Sequence, residues 1–128
     1  MRVLLDTHTF IWFVLDSPQL SVRVKTLIED ENNEKLLSIA SVWEIAIKQK
    51  TGKINFAMPF NTFIEQQLNV NSIDLLNISL RHIDVISNLA LHHCDPFDRL
   101  LIAQAMIKRI PVLSADTVFD AYAVTRIW

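Results

Sequence analysis

Short apolar runs alternate along the chain with longer segments whose apolar residues recur every three or four positions. The short runs are typical of buried parallel strands, and the longer segments are typical of helices that pack one face onto a sheet. This alternation predicts an α/β fold with a mostly parallel central sheet and right-handed crossovers. The predicted strands cover residues 3–5, 36–39, 73–76, 111–113 and 124–128.

Capping residues predict where the helices between these strands begin and end. A very apolar helix is predicted over 7–15, and Ser17 before Pro18 has the pattern of an N-cap with proline at the first helical position. Ser41 and Glu44 have the spacing of a capping box, and Gly52 is the expected end of that helix. Further helices are predicted to begin at Met58-Pro59, Ser79 and Asp95, with a turn or short helix over 116–121.

Length and composition predict one compact domain over residues 1–128, because 51% of the chain is hydrophobic and it is too short for two cores. The formal net charge is -2, so contacts with nucleic acid would depend on local basic groups rather than on a global positive field. No apolar stretch approaches the roughly 20 residues of a membrane span, and a single cysteine, Cys94, provides no internal disulfide. We therefore expect a soluble, cytoplasmic protein.

Four acidic residues recur at one kind of structural position, where a predicted strand gives way to a helix. The carboxyl ends of parallel strands converge on one crevice, so these carboxylates are expected to lie close together. They would repel one another unless a divalent cation neutralised them, and oxygen ligands suit Mg²⁺ or Mn²⁺. This pattern predicts a metal-dependent nuclease. The four residues are Asp6, Glu44, Asp98 and Asp116.

Each acid also has an ordinary structural explanation. Asp6 and Asp116 could cap the helices that follow them, and Glu44 could complete the predicted capping box. Glu44 nevertheless lies among apolar neighbours, where a charge needs a partner that a metal could supply. Asp95 is the expected cap before Pro96, which leaves Asp98 without a capping role.

The remaining polar residues are weaker candidates. The histidines match no zinc-binding spacing; residues 92–93 are expected in a solvated loop, and His8 is expected close enough to Asp6 to touch a substrate. Basic residues flank the proposed acidic site and are the expected phosphate contacts. They are Lys48, Lys50, Lys53 and Arg99.

Four segments together resemble the PIN domain, and more closely the VapC-type ribonuclease toxins of prokaryotic toxin–antitoxin pairs. The similarity extends over nearly the whole chain, in order, and its most specific part is the segment from Asp95 to Ala105. The segments are LLDTH over 4–8, SVWEI over 41–45, DPFDRLLIAQA over 95–105 and SAD over 114–116.

The resemblance implies a three-layer α/β/α fold and Mg²⁺- or Mn²⁺-dependent cleavage of RNA that leaves 5′-phosphate and 3′-hydroxyl ends. It also implies a homodimer and a cognate antitoxin protein that covers the active site. Asp6, Glu44, Asp98 and Asp116 match the acidic quartet of the family. Thr7 and Ser114 match positions of supporting hydroxyl groups, and Asp95 and Arg99 belong to the local motif.

Two other classes of function remain open from the sequence. In the first, the protein is a binding module without catalysis, in which the acids only cap helices. The apolar residues of the first helix, including Trp12 and Phe13, then form a dimer or partner surface. In the second, the site is a metal-dependent phosphatase that hydrolyses small phosphate esters.

Overall fold

The computed structural model describes residues 1–128 and contains a five-stranded parallel sheet with the strand order β3-β2-β1-β4-β5. All strands point the same way, so their carboxyl ends lie along one edge. The central strand is buried from Val3 to Leu5 and follows the continuous apolar pattern of a parallel strand. The strands are β1 (Arg2–Leu5), β2 (Glu34–Ser38), β3 (Ile73–Leu76), β4 (Val112–Leu113) and β5 (Arg126–Ile127).

Helices cover both faces of the sheet and give the predicted three-layer α/β/α fold. Successive residues of β1 point to opposite faces. Accordingly, Val3 and Leu5 belong to one apolar core, whereas Leu4 belongs to a second core with Leu101 and Phe119. The helices are α1 (Thr7–Val14), α2 (Val22–Glu29), α3 (Ile39–Lys50), α4 (Phe60–Val70), α5 (Leu80–Ser87) and α6 (Pro96–Lys108), followed by a 3₁₀ turn at Thr117–Ala121.

Two predicted helix starts are wrong. Helix α3 begins at Ile39 with Ser38 as its N-cap, so Ser41 and Glu44 do not form a capping box. Strand β2 pairs with β3 as far as Ser38, and α3 begins directly after it, earlier than the local spacing indicates. The pair Ser17-Pro18 does not begin a helix either, because the Ser17 amide closes the end of α1 on the carbonyl of Trp12 and Ser21 caps α2 instead.

The other strong local signals are confirmed. Ser79 caps α5, Asp95 caps α6 with Pro96 at its first turn, and Gly52 follows the end of α3 with a φ of 79°. The strand at Ile73–Leu76 is present, while β5 is shorter than predicted. None of the helices has both the length and the apolar character needed to cross a membrane.

The apolar side chains of the first helix are buried to different extents. Phe10 and Ile11 are buried, and Trp12 and Phe13 pack against the first apolar core. Trp12 and Phe13 are therefore only partly exposed, and a dimer or partner surface on α1 stays a prediction.

Candidate functional site

The four acidic residues lie at the carboxyl edge of the sheet. Asp6 follows β1 and is only 5% exposed, and Asp116 follows β4. Glu44 lies in the second turn of α3, the helix after β2, and Asp98 lies in the first turn of α6. Their elements meet here because β1 pairs with both β2 and β4, and α6 packs against α3.

Capping uses only part of each carboxylate. Asp6 accepts a hydrogen bond from the Thr9 amide at 2.8 Å through Oδ1, and Asp116 accepts from the Val118 amide at 3.0 Å through Oδ1. In both residues the second oxygen takes no part in the cap. The capping and ligand interpretations are therefore compatible for Asp6 and Asp116.

Asp98 is free of any capping role, because Asp95 Oδ1 accepts both the Phe97 amide at 2.8 Å and the Asp98 amide at 3.1 Å. Burial raises the pKa of the Asp98 carboxyl to about 7, and the negative charges of Asp95 and Asp6 add to the rise. His93 opposes this shift and Glu44 adds a smaller part of it. In the metal-free protein, burial and the neighbouring carboxylates therefore disfavour the ionised form of Asp98.

Glu44 carries an acceptor without a partner. Its Oε2 lies 3.9 Å from Nζ of Lys48, one helical turn away, while its Oε1 is buried and receives no hydrogen bond. A buried carboxylate oxygen normally has a donor or a cation beside it, because its desolvation is otherwise uncompensated. The unpartnered Oε1 is therefore the feature of this site that best fits a bound cation.

His93 joins two of the acids, which the sequence prediction of a solvated loop missed. Its Nε2 lies 3.0 Å from Oδ2 of both Asp98 and Asp116. Its Nδ1 accepts the Asp95 amide at 3.2 Å, so in the neutral ring the proton is on Nε2 and faces the carboxylates. His93 therefore lies between the two acids, at the position where a cation could neutralise them.

The same three side chains form a possible metal-binding group. One ligand atom each from His93, Asp98 and Asp116 lies within 4.8 Å of the others. Oxygen and imidazole donors of this kind suit Mn²⁺, and carboxylates alone suit Mg²⁺. If His93 coordinated the metal through Nε2, that nitrogen would first have to lose its proton. If the His93 ring instead rotated away, the two carboxylates alone would bind the cation.

The two predicted supporting hydroxyl groups are buried and hold the site loops. Thr7 Oγ1 donates to Ser41 Oγ at 3.0 Å, which links the start of α1 to α3. Ser114 Oγ accepts the Asp116 amide at 3.0 Å and fixes the turn that carries this acid. Ser41 is the further residue that sequence reasoning misassigned, since its role depends on the pairing of distant helices.

The basic residues differ in how available they are. The Arg99 guanidinium donates to the carbonyls of Ile86, Leu89, Ala90 and His93, and these bonds argue against the expected phosphate contact. It instead fixes the loop that carries His93. Lys48 is paired with Glu44, whereas Lys53 is exposed and makes no ion pair. Lys50 lies on another surface, beside Gln49 and Phe60.

A cavity of about 300 Å³ opens beside the acids and is lined by Asp6, His8, Trp12, Ala115 and Asp116. A cavity of about 390 Å³ lies instead among residues before β4 and β5 such as Pro111 and Thr125, at the opposite edge of the sheet. In parallel α/β proteins the carboxyl edge is where ligands bind. The smaller cavity is therefore the one relevant to chemistry.

Fold and site together define a three-layer α/β/α protein with an acidic site at the carboxyl edge of its sheet. Residues 3–124 match the model of the PIN domain. The chain therefore belongs to the PIN domain family. PIN domains are generally nucleases, and they typically use divalent metal ions. No curated protein matches the chain in sequence.

Solved structures with the same fold cover nearly the whole chain. VapBC2 from Rickettsia felis, bound to a DNA fragment from its promoter, has a TM-score of 0.74 at 12% identity and covers 99% of this chain and 98% of its own. FitAcB from Neisseria gonorrhoeae has a TM-score of 0.66 at 21% identity, with 98% and 96% covered. A toxin–antitoxin complex from Klebsiella pneumoniae has a TM-score of 0.67 at 15% identity, with 98% and 96% covered.

Proposed function

We propose that this protein is a metal-dependent endoribonuclease that hydrolyses RNA phosphodiester bonds with Mg²⁺ or Mn²⁺. The observation that carries the proposal is the buried, unpartnered Oε1 of Glu44 beside an aspartate whose pKa is raised to about 7. Such an arrangement disfavours the metal-free fold and is relieved when a cation binds. The family assignment independently supports a nuclease.

The residues that would hold the cation are Asp6, Glu44, Asp98 and Asp116. A bound divalent cation lowers the pKa of a coordinated water and stabilises negative charge on the leaving oxygen. The caps on Asp6 and Asp116 fix one oxygen of each carboxylate and so orient the other. Because little needs to reorganise when a ligand arrives, these side chains are prepared for binding.

His93 and Lys48 have supporting roles in this proposal. The Nε2–H group of His93 keeps Asp98 and Asp116 together in the metal-free protein. Lys48 orients Oε2 of Glu44, so that Oε1 is the oxygen left for a ligand. Thr7 and Ser114 hold the loops in register and do not themselves contact the substrate in this account.

We further propose that the protein is the toxin of a toxin–antitoxin pair, acts in the cytoplasm and is silenced by a cognate antitoxin. The similar structures support the antitoxin, since the one from Klebsiella pneumoniae is a toxin–antitoxin complex and the one from Rickettsia felis is VapBC2. A homodimer is supported by exposed apolar side chains on two helices that both pack against α6. These side chains are Trp43 and Ile47 on α3, and Leu80 and Ile83 on α5.

The proposal is tested by incubating total cellular RNA with wild-type protein and with the Asp98→Asn variant, each in Mg²⁺, Mn²⁺ or EDTA. We expect discrete fragments with 5′-phosphate ends from the wild type with metal, and none in EDTA or from the variant. Fragments with 2′,3′-cyclic phosphate ends would contradict the proposed hydrolysis, and cleavage by both proteins in EDTA would contradict the metal site. Hydrolysis of a chromogenic phosphate monoester without RNA cleavage would favour the phosphatase.

A further inference from the structure

A second cavity lies next to the acidic one and has the opposite charge. It measures about 190 Å³ and is lined by His8, Ile11, Lys48, Lys53 and Ile54. His8 lines both cavities, so the two adjoin at its exposed side chain. A single groove therefore leads from the acids, past His8, to two lysine side chains.

The last turn of α3 brings the two lysines together. The Lys53 amide donates to the Lys48 carbonyl at 2.8 Å, which is the six-to-one hydrogen bond of a Schellman motif, and Gly52 supplies the positive φ that this closure requires. The chain thus folds back over the end of the helix. Lys53 is exposed and unpaired, so its ammonium group is available to an anion from solution.

The wall between the two cavities is aromatic. The rings of His8 and Trp12 lie 5.7 Å apart between centroids at an angle of 48°, and Trp128 supports Trp12 from the side at 5.7 Å. The His8 ring makes no hydrogen bond within the chain, and this exposed face is open for stacking. Aromatic faces beside a cationic groove are the combination that binds single-stranded nucleic acid without requiring a particular sequence.

We propose that this groove is a nucleotide subsite for single-stranded RNA, in which one base stacks on His8 and Trp12 and the next phosphate along the strand binds Lys53, next to the Lys48–Glu44 pair. The inference rests on the proposed function, because the scissile phosphate is then the one held at the acids. An acidic peptide fits less well, because its carboxylate side chains have no ring to stack on His8 and Trp12, whereas a nucleotide brings a base together with its phosphate.

The test measures binding of a fluorescently labelled, 12-nucleotide single-stranded RNA pool by anisotropy, in the Asp98→Asn background and with Mg²⁺. His8→Ala should weaken binding roughly 5-fold or more, and His8→Phe should keep it, because a benzene ring also stacks. Lys53→Ala should weaken binding and lower the slope of log K against log salt by about 0.7, the loss of one phosphate contact. Arg23→Ala, an exposed cation on α2, is the matched control and should bind like the parent.

The outcomes separate this inference from the proposed function. If wild-type protein cleaves RNA, but His8→Ala and Lys53→Ala leave binding unchanged in the Asp98→Asn background and cleavage unchanged in the wild-type background, the subsite is wrong and the nuclease stands. If no RNA is cleaved while both substitutions weaken binding, the subsite stands and the nuclease proposal fails. If only Lys53→Ala weakens binding, the groove is a cationic patch and the stacking of a base on His8 is overturned.

Discussion

Replacing Asp98 with asparagine should stabilise the metal-free protein while it removes the proposed activity. The carboxyl group has a pKa of about 7 in the folded protein against 3.8 for an ordinary aspartate. A difference of about three units corresponds to roughly 4 kcal/mol at alkaline pH, at about 1.4 kcal/mol per unit. This value is an upper limit for Asp98→Asn, because the amide must also fit beside His93.

The sign of the pH dependence follows from the raised pKa. Below about pH 3.8 the side chain is protonated in both the folded and unfolded states, so its raised pKa does not change the free energy of unfolding. Between this pH and about 7 the unfolded chain loses the proton first, and the penalty on the folded state grows. Above about pH 7 the penalty is complete. The gain in stability of Asp98→Asn over the wild type should therefore increase from pH 4.5 to pH 7 and then level off.

Thermal unfolding in EDTA at pH 4.5, 6.0 and 8.0 measures this effect. For a domain of this size we expect the variant to exceed the wild type by roughly 5–10 °C in Tm at pH 8.0, and by much less at pH 4.5. Asp84→Asn, at an exposed position on α5, is the control and should change Tm little at any pH. Equal Tm values for Asp98→Asn and wild type at pH 8.0 would refute the electrostatic account of the site.

Three further substitutions test other parts of the structure. His93→Ala leaves Asp98 and Asp116 without their shared hydrogen-bond donor. It should lower the free energy of unfolding by about 1–3 kcal/mol in EDTA and by clearly less with saturating Mn²⁺. Urea unfolding that shows the same loss in both conditions would contradict this role. Arg99→Lys cannot satisfy the four carbonyls that Arg99 contacts and should lower stability by about 2 kcal/mol, whereas unchanged urea unfolding would mean that these bonds are not formed in solution. Gly52→Ala meets no atom within 4 Å, so only the φ of 79° opposes it; we expect a loss of about 1–2 kcal/mol by the same assay, and no loss would argue against the positive φ.

Features that depend on neighbouring residues were predictable from the sequence. The caps at Ser79 and Asp95 act within one helical turn, and the continuous apolar run of β1 reports its burial on both sides. The recurrence of acids after strands was likewise sufficient to predict that they converge, because the parallel sheet itself brings strand ends together.

Features that depend on distant contacts were not predictable in this way. Ser38 rather than Ser41 caps α3 because pairing between β2 and β3 extends to Ser38. His93 enters the site because Arg99, six residues further on, ties down the loop before α6 and because Asp116 arrives from β4. Two adjacent histidines in a polar segment carry no local sign of this arrangement.

Calorimetric titration of Mn²⁺ into metal-free protein at pH 7.5 tests most directly the claim that the four acids form a divalent-cation site. Wild type should bind the cation saturably, and Glu44→Gln and Asp98→Asn should each weaken binding by at least tenfold, because each removes a ligand charge. Asp84→Asn should bind like the wild type. Equal affinity in wild type, Glu44→Gln and Asp98→Asn, or no saturable binding to the wild type, would contradict the claim.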